Sequence, residues 1–126
     1  VDDPGGRHMG QECRTDEDAA LPPTRGLFTI LLKHQPRISR QSGERFDLQL
    51  SGHTHGGQVF PFHFIVRSIY RYFAGLYEVG AGQWLYVSRG AGIWGPSMRV
   101  LSRPEVTLFI IEPVVAGHPA ARDRVP

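Results

Sequence analysis

Two short apolar runs in this chain each lead straight into histidine, and that limits the folds open to it. Leu27 to Lys33, LFTILLK, is rich in strand formers, and His34 closes it. Phe46 to Leu50, FDLQL, alternates apolar with polar and passes directly into Ser51-Gly52-His53-Thr54-His55-Gly56-Gly57. In open α/β sheets, ligands gather beyond the carboxyl ends of the strands. If these two strands are neighbours, His34, His53 and His55 converge there. Neutral imidazole is a common metal ligand. Gly52, Gly56 and Gly57 give the backbone freedom to turn sharply beside such ligands. Thr54 reads as a spacer between the two histidines.

The remaining pattern is that of a small α/β domain. The chain has 126 residues, 40% of them hydrophobic, and its 15 glycines and 10 prolines point to many turns. A possible short helix, Thr15 to Leu21, opens on the acidic cluster Asp16-Glu17-Asp18 and stops at Pro22-Pro23. Residues 37–45 are polar and read as a weak helix. Phe62, Ile65, Val66, Ile69 and Phe73 recur at helical spacing, which predicts a helix within Phe60 to Phe73. Leu76–Val79 and Trp84–Ser88 bracket GAGQ as a hairpin. Arg89 to Ser97 is a glycine-rich loop, and Val106 to Glu112, VTLFIIE, reads as the last strand.

Charge and composition exclude several classes. A net charge of +2, with no block of basic residues, gives no footprint for nucleic acid. Cys13 has no cysteine partner for a disulfide. No apolar run reaches the roughly 18 residues of a membrane span. His8, His63 and His118 match no ligand pattern and read as solvated or packing residues. Asp2 and Asp3 read as a turn cap beside Pro4. The start at Val1, without an initiator methionine or a signal peptide, reads as that of a fragment.

Several motifs together carry a resemblance. GHTHGGQ resembles the last metal-binding motif of the calcineurin-like metallophosphoesterases, and LLKHQP resembles the motif before it. YVSRGAGIWGPSMRVLSRPEVTLFI looks like the C-terminal hairpin and final strand of a bacterial membrane-associated branch that includes UDP-diacylglucosamine pyrophosphatase-like enzymes. The opening VDDP resembles the strand end that precedes the His-bearing strand. The resemblance implies an α/β fold, the C-terminal half of a four-layer α/β/β/α sandwich, strand-rich with a short helix near residues 62–73. Residues 1–112 would form that part of the domain and 113–126 a flexible tail.

The same resemblance implies a function. A complete protein of this kind hydrolyses phosphodiester or pyrophosphate bonds with a hydroxide bridging two divalent metal ions, of Mn, Zn or Fe type. His34 and His53 would hold the second metal and His55 the first, and Arg89 would contact substrate phosphate. The substrate would be a phosphate ester, in one reading lipid-linked, with peripheral membrane contact in a bacterium and a cytoplasmic or membrane-associated location. The family's Asp-x-His, Gly-Asp and Gly-Asn-His motifs are missing from this sequence. The activity is therefore expected of the complete protein, with the missing N-terminal half as partner, and not of this chain alone. Two other readings stand beside it: an inactive truncated domain, and a mononuclear three-histidine metal-binding protein. The apolar stripe of residues 62–73 reads first as core against the sheet, with lipid contact as the rival.

Overall fold

The computed structural model of the protein describes residues 17–24, 26–39 and 42–113. Its elements in chain order are a short helix α1 (Glu17–Ala20), β1 (Ile30–Leu32), β2 (Leu48–Ser51), a 3-10 turn (His55–Gly57), α2 (Phe62–Ile69), β3 (Gly75–Gly80) and β4 (Gln83–Val87). The strands form one sheet in the order β1-β2-β4-β3. The β1–β2 and β2–β4 pairs are parallel, and the β3–β4 hairpin is antiparallel. This mixed sheet with one longer helix is the expected α/β half-sandwich. Thr15 and Asp16, at the head of the expected first helix, lie outside the described residues, as do Cys13, Asp2, Asp3, His8, His118 and the VDDP opening.

Strand alternation gives the sheet two unlike faces. Leu31, Lys33, Gln49, Ser51, Leu85 and Val87 point to one face, and all are buried. Leu31 packs with Leu21 and Phe46, flanked by Ile38 and Val79. Burying each such apolar side chain stabilises the fold by roughly 1.5–3 kcal/mol. The polar members of this face are tied down. Gln49 donates to Ser51 Oγ (2.9 Å), and Ser51 Oγ donates to the Gln35 carbonyl (3.3 Å). Gln83, also buried, donates to the Phe46 carbonyl (2.8 Å) and so fastens the hairpin to the entry of β2. Lys33 sits deep in this face, paired with Glu17 of α1 and donating to the Arg37 carbonyl (2.9 Å).

The opposite face carries Ile30, Leu32, Leu50, Trp84 and Tyr86 in register. It is largely open: Ile30, Leu32 and Trp84 are exposed. An open groove of about 570 Å³ runs along it, lined among others by Leu32, His34, Leu50, Tyr86 and Phe109. Among the described residues, the segment Glu105–Phe109 lies across it. The Tyr86 hydroxyl bonds Glu105 and Thr107, and its ring meets Phe109 edge-on at 4.9 Å.

Three expectations need correction. Val106 to Glu112 forms no strand here. Its alternate residues Glu105, Thr107 and Phe109 meet Tyr86, and these contacts hold the segment on the sheet's face instead of at an edge. Residues 42–44 form a turn in place of a weak helix, with Ser42 Oγ donating to the Ser39 carbonyl (2.9 Å). The stripe on α2 is not core. Its inward side is formed by the half-buried His63, Val66 and Tyr70, while Phe62, Ile65 and Ile69 are exposed. Among the described elements α2 packs only against the 3-10 turn.

The Lys33–Glu17 pair makes the fold's clearest stability test. Removing one member leaves a buried charge uncompensated, which costs about 3–5 kcal/mol. Lys33→Met should show that loss in urea denaturation, and Lys33→Met with Glu17→Leu should recover most of it. Equal losses in the single and double variants would refute a role for the pair.

Candidate metal centre

The two parallel strands deliver their histidines to one place. The ladder continues past its last formal rung: the Lys33 amide donates to the Leu50 carbonyl (3.1 Å), and the Gly52 amide to the His34 carbonyl (3.0 Å). His34 and His53 therefore leave the sheet side by side. Their rings meet at right angles with centroids 4.9 Å apart.

Beyond Ser51 the backbone is forced into an unusual path. His53, His55 and Gln58 have positive φ (68°, 50° and 39°), as do Gly56 and Gly57 (59° and 74°). The left-handed region costs a non-glycine residue roughly 1–2 kcal/mol. Such strain persists only where surrounding contacts over-determine it, and it clusters at functional sites. Those contacts are identifiable here. Thr54 is buried, donates to the Phe73 carbonyl (2.7 Å) and caps the 3-10 turn by accepting from the Gly56 amide (3.4 Å). It is a lock and not a spacer. Gly57 is required because a Cβ there would stand 2.3 Å from the His63 Cα. His63 packs between the turn and the Phe60 and Phe64 rings.

A second bracket comes from the glycine-rich loop. The Arg99 guanidinium donates to the carbonyls of Arg89 (2.9 Å), Gly90 (3.0 Å), Gly92 and His55 (3.3 Å). Ser102 Oγ donates to the same His55 carbonyl (2.7 Å). Gln58 completes the frame, accepting from the Trp94 amide (2.7 Å) and donating to the Pro96 carbonyl (3.0 Å). Sequence reasoning missed Arg99, Ser102 and Gln58. Their role lies in backbone carbonyls and amides brought close by the fold, which leave no trace in residue type or spacing.

The three histidines are not equivalent. His34 is exposed beside His53, whereas His55 stands one turn further on. The Gly92 backbone faces the His55 ring. Its Nδ1 is buried without a hydrogen-bond partner. Burial, then the Arg99 charge, and lastly the His34 charge hold its pKa below the ordinary 6.5, against the Gly92 backbone, so the neutral ligand form is favoured. Among the described residues, no three His, Cys, Asp or Glu side chains stand close enough to hold a metal ion by themselves. The structure brings the His34 and His53 rings into contact, and the His34 charge is felt at His55. The half-exposed Arg89 lays its side chain over Gly56, with Nε 3.8 Å from Glu105. Sequence reasoning also missed Tyr70, whose hydroxyl shares a hydrogen bond with His53 Nε2 (2.7 Å) while Arg37 covers its ring at 5.7 Å.

Comparison with known proteins adds an independent finding. Over 114 residues the chain is 42% identical to an uncharacterized metallophosphoesterase of Aquifex aeolicus, covering 89% of this chain and 44% of the relative. It is 51% identical over 82 residues to the uncharacterized metallophosphoesterase Cj0846 of Campylobacter jejuni, covering 64% and 22%. A Bos taurus transmembrane protein with metallophosphoesterase domain is 42% identical over 87 residues, covering 67% and 20%. The chain thus spans less than half the length of each of these relatives. No family model and no solved structure matches it. The relatives support a metallophosphoesterase kinship for this chain.

The Tyr70 bond to Nε2 biases the tautomer of His53, since the partner of one nitrogen sets the state of the other. Tyr70→Phe should alter the ring ¹⁵N shifts and tautomer balance of His53 in the metal-free protein, at a stability cost of only about 0.5–1.5 kcal/mol. An unchanged His53 ring pattern would remove Tyr70 from the site.

Proposed function

We propose that this chain forms part of a dinuclear metallophosphoesterase that hydrolyses phosphodiester or pyrophosphate bonds. The observation that carries this reading is the contact of His34 with His53 beyond two adjacent parallel strands, with His55 one strained turn away. The donor chemistry fits in part. A buried ring nitrogen without a partner, as on His55, is costly unless something binds it. Imidazole suits zinc and iron, whereas manganese leans on carboxylate oxygens. This sequence has none of the family's carboxylate motifs, so the other ligands come from elsewhere in the complete protein.

His34 and His53 would hold one divalent ion and His55 the other. When bound, such a pair lowers the pKa of water and neutralises charge on the phosphoryl group. The chain's own contribution is to hold its imidazoles in place, with His55 favoured in the neutral form. Thr54, Arg99 and Ser102 keep the turn in shape, and Tyr70 orients His53. Arg89, whose Nε lies 3.8 Å from Glu105, would turn its guanidinium to substrate phosphate as a forked donor. Arg99 cannot take that part because its donors are engaged by loop carbonyls. The finer placement, in the UDP-diacylglucosamine pyrophosphatase-like branch with a lipid-linked substrate, rests on the resemblance of residues 86–110. The membrane setting named for the Bos taurus relative agrees with it.

The test uses the full-length protein stripped of metal and reloaded with manganese or zinc. Metal content should reach two ions per molecule, with turnover of bis(p-nitrophenyl) phosphate. His53→Ala should lower that turnover about a hundredfold or more. A single tight zinc would favour the mononuclear reading, and turnover unchanged in His53→Ala would overturn the proposal.

A further inference from the structure

We infer that Glu105 is the residue that positions Arg89 for substrate phosphate, and that the Tyr86 hydroxyl holds Glu105 in place. The inference rests on the hydrolase reading and on the part given there to Arg89. Glu105 is fixed at both its backbone and its side chain. Its amide donates to the Gly90 carbonyl (3.0 Å), which Arg99 also grips (3.0 Å). Its Oε1 accepts from the Tyr86 hydroxyl, and Thr107 Oγ1 lies 3.2 Å from the same oxygen. Tyr86 is a firm donor, since β4 sets it in register between Leu50 and Leu76. Burial, and then the Glu105 bond, hold its pKa above the ordinary 10.0, so the hydroxyl keeps its proton at neutral pH.

With Oε1 engaged, Oε2 is the oxygen that faces Arg89, 3.8 Å from Nε. The arginine stem is confined from the other side. A Cβ on Gly56 would stand 3.1 Å from Arg89 Cγ and 3.2 Å from Cδ. Gly56 follows His55 directly, so the guanidinium is held beside the histidine turn. A long side chain has much rotamer freedom to lose, and contacts that narrow it before substrate arrives lower the cost of binding. The point of contact decides between two roles for Glu105. A counter-ion that competes with phosphate for Arg89 would meet the forked Nη end. Glu105 meets Nε instead, which leaves both Nη groups for the phosphate.

Glu105→Gln keeps the shape and an acceptor for Tyr86 but removes the charge that faces Arg89. In the full-length protein loaded with manganese it should raise KM for bis(p-nitrophenyl) phosphate about threefold to fivefold and change kcat less than about twofold. On an Arg89→Met background, which keeps the stem over Gly56, adding Glu105→Gln should raise KM no further. A second readout needs no turnover. Inorganic phosphate titrated into the metal-free full-length protein should shift the Arg89 Nε–Hε NMR signal. Glu105→Gln should weaken that binding by a similar factor, and Tyr86→Phe should act in the same direction. An inactive wild type would end the hydrolase reading and leave the phosphate titration to decide the role of Glu105. An Arg89 signal that phosphate does not move overturns the inference. So does phosphate binding that is tighter in Glu105→Gln, or unchanged in both variants, and so does an equal rise in KM on the Arg89→Met background.

Discussion

The hydrogen bond from the Gly52 amide to the His34 carbonyl is the constraint on which the rest of the site depends. It extends the parallel β1–β2 ladder beyond its last paired residues and fixes where both strands end. A slip of one residue would turn every side chain of a strand to the other face. Leu31 and Lys33 would then leave the core, and His34 would enter it. Register is therefore held by burial on one face of the sheet, and the position of the histidines follows from that burial. Lys33, flanked by an exposed Leu32 and an exposed His34, shows how sharp the alternation is.

The strained turn after Ser51 draws on the same economy. Three non-glycine residues in the left-handed region would not persist on local preference alone. Thr54 anchors the turn from within, α2 presses on Gly57 through His63, and Arg99 with Ser102 grip the His55 carbonyl from the glycine-rich loop. Arg99 organises that loop by offering a planar set of donors to several carbonyls, which a lysine could not reproduce. The loop in turn carries Arg89, so the geometry of the histidines and of Arg89 rests on one set of contacts.

Much of this was legible in the sequence because it depends on local pattern. The period-two alternation in FDLQL, the glycine-centred hairpin and the helical spacing of residues 62–69 each specify their own element. The histidines were legible because they follow strands. What was not legible depends on partners far along the chain. VTLFIIE has every mark of a strand, but strand propensity does not say that Tyr86 will hold the segment on the sheet's face. The stripe on α2 predicted burial, yet the inward face is set by the close approach of His63 to Gly57 and lies beside the stripe. Thr54 and Tyr70 act through single long-range hydrogen bonds and Arg99 through several bonds to loop carbonyls, and Lys33, polar by type, is buried because Glu17 meets it.

Anomalous diffraction from crystals of the full-length protein, loaded with manganese or zinc, tests the central claim most directly. Two anomalous peaks are predicted, one bonded by His34 and His53 together and the other by His55. A single peak bonded by all three histidines, or peaks that touch none of them, would contradict the account.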